Sequence, residues 1–133
     1  MKYLLDTNTC IIYIKGKNLN LKKRMDDTLI PDIAVCSVVK SELFYGSMKS
    51  ANPDRNYALQ QEFLEQLISL PFDDASAHIF GTIRAQLEKK VTPIGAYDLQ
   101  IAAIAIANDL TLVTHNTREF SRISELKFED WEL

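Results

Sequence analysis

At 133 residues, 47% hydrophobic and 25% charged, the chain has the length and balance of one folded domain over residues 1–133, which excludes a disordered or fibrous protein. Its formal net charge of -3 exerts no general pull on a polyanion, so contact with nucleic acid must come from local basic groups or a bound cation. No apolar run approaches the roughly 20 residues that span a bilayer, and the start turns polar at Asp6, too early for a secretion signal, so a cytoplasmic protein is expected.

Residues 2–5 form a short apolar run that predicts a buried strand stopping at Asp6. The β-branched run 33–39, bounded by Pro31-Asp32, predicts a second strand. Residues 54–70 read as a helix with Leu59, Phe63, Leu67 and Ile68 on one stripe and Gln and Glu opposite. A short flanking strand at 70–72 follows. Asp73 or Asp74 caps a helix running through Lys90, with Ile79, Phe80, Ile83 and Leu87 inward. Residues 99–107 are apolar on every side and end at Asn108-Asp109, which predicts a central buried helix. A third strand at 110–114 ends at His115-Asn116, and 126–128 supplies another short flanking strand. Cys10 and Cys36 lack metal or disulfide spacing and read as small buried apolar residues.

Strand alternating with helix predicts a mostly parallel sheet covered on both faces, a three-layer α/β/α domain. Ligands of such sheets gather beyond the carboxyl ends of the strands, near a topological switch point. Asp6 and Asn8 follow the first strand directly. Glu42 falls about one turn into the helix that follows the second strand. Asp98 opens the buried helix after Pro93-Ile94-Gly95, and Asn116 with Glu119 follows the third strand.

Taken singly, Asp6 and Asp98 serve equally well as helix caps, Glu42 as a solvated helix residue and Asn116 as a turn former. Together, acids on one rim repel each other and raise their pKa values unless a cation neutralises them. Mg²⁺, with Mn²⁺ as a substitute, takes oxygen ligands, keeps several waters and is held by one or two carboxylates plus a substrate phosphate. That arrangement points to phosphodiester hydrolysis. No Ser-His-Asp set, phosphate loop or dinucleotide motif is present to support acyl transfer or nucleotide-cofactor chemistry.

Four ordered blocks complete the picture: Tyr-Leu-Leu-Asp-Thr-Asn at 3–8, Ser-Glu-Leu-Phe-Tyr-Gly at 41–46, Pro-Ile-Gly-Ala-Tyr-Asp at 93–98, and Val-Thr-His-Asn-Thr-Arg-Glu-Phe at 113–120. With the terminal Phe-Glu-Asp-Trp, they resemble the PIN-domain ribonucleases, and among them the VapC toxins of bacterial toxin-antitoxin pairs. By that resemblance Asp6, Glu42 and Asp98 match family acids, Asp6 and Asp98 as direct metal ligands and Glu42 as a ligand or a residue orienting water. Many relatives carry Asp where this chain has Asn116, and Glu119, one turn on, completes the cluster. Asn116 brings no charge, so a second ion is held less firmly. His115 occupies a variable family position and receives no role.

The resemblance further implies a homodimer, a VapB-type antitoxin whose tail covers the acidic site with an arginine, and structured RNA as substrate. The subgroup it resembles points to the anticodon loop of initiator tRNA. Arg118, Arg122, Tyr97 and Lys15 are the candidate RNA contacts. Two other readings fit the same sheet: a receiver-like signalling module that binds Mg²⁺, and a non-enzymatic interaction domain whose acids are caps.

Overall fold

The computed structural model describes residues 1–133. In β1 (Tyr3–Leu5), Leu4 and Leu5 are completely buried, and the run stops where Asp6 turns the chain into α1 (Thr7–Lys15). Asp6 is extended, and its carboxylate accepts from the Thr9 N–H, one of the donors that a helix start leaves open. Gly16, at φ 70°, closes α1 and donates its N–H to the Ile12 and Tyr13 carbonyls; space is open around it, so glycine is favoured there for the left-handed backbone alone. α2 (Leu19–Asp26), capped by the Asn18 side chain, and a single 3₁₀ turn at Ile30–Asp32 lead into β2 (Ile33–Cys36).

The expected strand at 33–39 is thus shorter. Val38 and Val39 belong to the first turn of α3 (Ser37–Met48), where they are buried like strand residues. A short apolar run has the same composition on a buried helix face as in a buried strand. α4 (Pro53–Leu64) also ends earlier than expected, and residues 68–70, assigned to the end of that helix, form β3 (Ile68–Leu70). Parallel pairing of Ala34, Val35 and Cys36 with Ile68, Ser69 and Leu70 overrides the local periodicity. The strand expected at 70–72 is therefore shifted, and Leu59, expected on the inward stripe, is 44% exposed.

α5 (Asp74–Lys89) starts as expected, with Asp73 as its cap, accepting from the Ser76 N–H at 2.9 Å. Ile83 and Leu87 are buried, while Ile79 and Phe80 are only partly so. α6 (Ala96–Ala107) is the central helix, with Ile101 through Ala105 wholly enclosed. β4 (Thr111–Val113), the short α7 (Thr117–Phe120) and β5 (Phe128–Glu129) complete the chain.

All five strands are parallel, in the order β3-β2-β1-β4-β5. Successive strand side chains point to opposite faces, yet Leu4, Leu5, Ala34, Val35, Leu112 and Val113 are all buried, so helices cover both faces. This is the expected three-layer α/β arrangement. From β1 the chain moves outward to β2 and β3, then returns to place β4 on the other side of β1. The switch point therefore lies between the carboxyl ends of β1 and β4. Receiver-like domains follow the order 2-1-3-4-5, which this sheet does not have.

Candidate functional site

Asp6 sits at that switch point and is 5% exposed. Its Oδ1 accepts from the Thr9 N–H at 2.8 Å and its Oδ2 from the Thr114 hydroxyl at 2.6 Å, while its own N–H donates to the Val113 carbonyl at 3.1 Å. One carboxylate thus ties the end of β1 to the end of β4. Thr9 adds a bond from its hydroxyl to the Val113 carbonyl. Asn8, by contrast, is exposed on α1.

Glu42 lies half-buried on α3 and accepts from the Thr7 hydroxyl at 2.6 Å. α6 leads straight into β4 and runs against it, so its first turn, holding Asp98, returns to the carboxyl edge. Burial, then the charges of Glu42, Glu119 and Asp6, push the Asp98 carboxyl up to about 6. Asn116 donates its side-chain amide to Glu119 at 3.0 Å, and its backbone N–H reaches the Thr114 hydroxyl at 3.0 Å. The structure therefore brings Asp6, Glu42 and Glu119 within electrostatic reach of Asp98, with Asn116 bonded to Glu119.

None of the molecule's ion pairs involves these four acids. Their charge is balanced by no Lys, Arg or His, and all their donors are oxygen, the ligand set of a hard divalent cation. No three of them bring ligand atoms within 4.8 Å of one another. Ligand atoms on one small ion stand at most about 4.2 Å apart, so the fit is to an ion that keeps waters between itself and some of its acids, as Mg²⁺ does.

The proposed RNA contacts are dispersed. Tyr97 is 60% exposed beside Asp98. Lys15 lines, with Ile11, Ile14, Leu43 and Leu59, a groove of about 500 Å³ between α1, α3 and α4 that runs to Glu42. Arg118 is exposed on α7, whereas Arg122 is committed to the Pro93 carbonyl at 2.9 Å and braces the loop before α6. Sequence reasoning passed over Thr7, Thr9 and Thr114, which fix the acids, although each adjoins or neighbours a chosen residue. It also passed over the pairing of His115 Nδ1 with Asp130 Oδ2 at 2.8 Å, which joins the end of β4 to the residue after β5 and has no sequence signal.

Comparison with known proteins establishes the family. Residues 3–126 match the PIN domain family. The tRNA(fMet)-specific endonuclease VapC of Salmonella typhimurium is 41% identical over 131 residues, covering 98% of each chain, and its namesake from Shigella flexneri is 40% identical over the same share. Among solved structures, DNA-bound VapBC from Salmonella typhimurium superposes with a TM-score of 0.93 at 41% identity over 98% of both chains. VapBC2 from Rickettsia felis, bound to a promoter DNA fragment, gives 0.90 at 36% identity over 98% of this chain and 99% of that one. These matches, with the strand order, set aside the receiver-like and purely structural readings. The chain belongs to the PIN-domain family of nucleases, in its VapC branch.

Proposed function

We propose that residues 1–133 act as one unit, the toxin of a toxin-antitoxin pair, which hydrolyses RNA with a divalent cation held by Asp6, Glu42, Asp98 and Glu119. The observation that carries this reading is the unneutralised approach of three carboxylates to half-buried Asp98 at the switch point of the sheet. Mg²⁺ is the expected ion, and Mn²⁺ its substitute, because every donor is oxygen. A cation held there would neutralise phosphate charge and lower the pKa of an attacking water.

The residues divide the remaining work. Asp6 is held rigid by Thr9 and Thr114, so its carboxylate is preorganised rather than ordered at binding. Thr7 occupies one oxygen of Glu42 and leaves the other to orient a water or the ion. Asp98, raised to about 6, is mostly ionised near neutral pH and would join the ligand set as a carboxylate whose crowding a cation would relieve. Asn116 aims Glu119 but adds no charge, which favours one firmly held ion over two.

The sequence relatives named for tRNA(fMet) support an initiator tRNA substrate, cut in the unpaired anticodon loop, where splayed bases can stack on exposed Tyr97. The solved VapBC relatives support a VapB-type partner; the groove that runs to Glu42 is where its tail would lie, with an arginine paired with the acids. A homodimer is the expected assembly. No helix is long and apolar enough to cross a membrane.

Incubating the purified chain with total RNA tests the reading. Discrete cleavage with Mg²⁺ or Mn²⁺, lost on chelation and in Asp6→Asn and Asp98→Asn, is expected. Equal cutting by the variants, or cutting that survives chelation, overturns the metal-carboxylate mechanism.

A further inference from the structure

One polar constellation beside the site takes no part in holding the acids. His115 lies between Thr114, which bonds Asp6, and Asn116, which bonds Glu119, so its backbone is anchored on both sides to the cluster. The ring is oriented from the other side. Asp130, whose side chain is only 8% exposed, meets Nδ1 with Oδ2 at 2.8 Å, and its Oδ1 accepts the Glu132 N–H at 2.9 Å. Both carboxylate oxygens are thus committed, and the imidazole is held by a fixed partner. The Glu132 carboxylate is also near, since ligand atoms of His115, Asp130 and Glu132 all lie within 4.8 Å of one another.

Two carboxylates against one ring favour its cationic form. The hydrogen bond and charge of Asp130, then Glu132, then more distant Asp6, raise the His115 pKa against a small cost of burial. The rest of the ring is open: the His115 side chain is 59% exposed. An RNA strand entering the rim meets four acids there, and none of their partners is basic. A ring oriented beside them and biased toward its cationic form by Asp130 supplies the positive contact that the acids lack.

We propose that His115 is a substrate-binding residue, whose Nε2–H donates to a backbone phosphate of the RNA beside the bond that is cut, and that Asp130 is the positioning residue that aims it. This rests on the nuclease reading above. The Nδ1 bond to Asp130 fixes which nitrogen faces outward, as second-sphere carboxylates do for histidines elsewhere. The contact is to charge and not to a base, so it strengthens binding without reading sequence.

The test uses the full chain and a fluorescein-labelled RNA hairpin carrying a tRNA-like anticodon loop, titrated across salt in EDTA so that nothing is cut. His115→Ala is expected to weaken binding about tenfold, as for loss of a charged hydrogen bond, and to make the salt slope shallower by about 0.7. His115→Lys is expected to restore the slope, and Asp130→Asn to lose part of the affinity. With Mg²⁺ added, His115→Ala raises KM and leaves kcat within about twofold, because the contact is made equally in ground and transition states. Unchanged affinity and slope in His115→Ala, failure of His115→Lys to restore the slope, or a fall in kcat at constant KM overturns the proposal. A wild-type chain that cuts no RNA with Mg²⁺ refutes the nuclease reading instead, whereas intact cutting with an indifferent His115→Ala refutes only this inference.

Discussion

Burial and three neighbouring carboxylates raise Asp98 to about 6 from an ordinary value near 3.8, and the sign of the consequence follows. A raised carboxyl contributes stability below its ordinary value and loses that contribution as pH rises through about 6. Near neutral pH the ionised form is a cost, on the order of 1 kcal/mol once solvent screening of this half-buried group is allowed for. Asp98→Asn is therefore expected to raise the melting temperature of the metal-free chain near neutral pH, with the gain shrinking as pH falls from about 6 and almost gone below about pH 4. Melting curves of the two chains that coincide at both pH values would sink the claim that the acids crowd one another. Thr114 offers a second check. Thr114→Val keeps the shape but strips one oxygen of buried Asp6 of its donor, and urea denaturation should show a loss of about 1–3 kcal/mol.

The elements were legible where one signal dominated. The helix after Asp73 and the enclosed helix α6 follow from cap and composition, and β1 and β4 follow from short apolar runs ending in polar residues. The boundary after Cys36 and the strand Ile68–Leu70 were not legible, because a helix face and a buried strand draw on the same residues and only pairing with β2 decides between them. The acids were legible for a different reason: each lies directly after a strand or within the first two turns of a helix that starts at the carboxyl edge, so topology carries it to the rim. The threonines and Asp130 were not, since their roles depend on side-chain direction across sequence separations such as the 108 residues between Thr114 and Asp6. At this scale Gly16 is the exposed weak point. A Cβ there meets nothing within 4 Å, so Gly16→Ala costs only the left-handed conformation, about 1 kcal/mol by equilibrium unfolding. A neutral result would mean that α1 ends differently.

For the whole molecule, the sheet order matters more than any single acid. Reversal of direction between β1 and β4 opens a crevice that the ends of two strands and the starts of two helices all reach, and the acids arrive from each. The same edge carries two chemically distinct clusters. One is all oxygen and without a basic partner; the other is a histidine locked to Asp130. On the proposed reading a cation belongs to the first and an RNA phosphate to the second. Calorimetry of Mn²⁺ binding separates them directly, comparing the wild-type chain, an Asp6→Asn/Asp98→Asn double variant and His115→Asn. Cation binding at the first cluster requires saturable binding to the wild type and to His115→Asn, lost in the double variant while its circular dichroism spectrum is unchanged. Binding that survives the double variant, or disappears in His115→Asn, would contradict it.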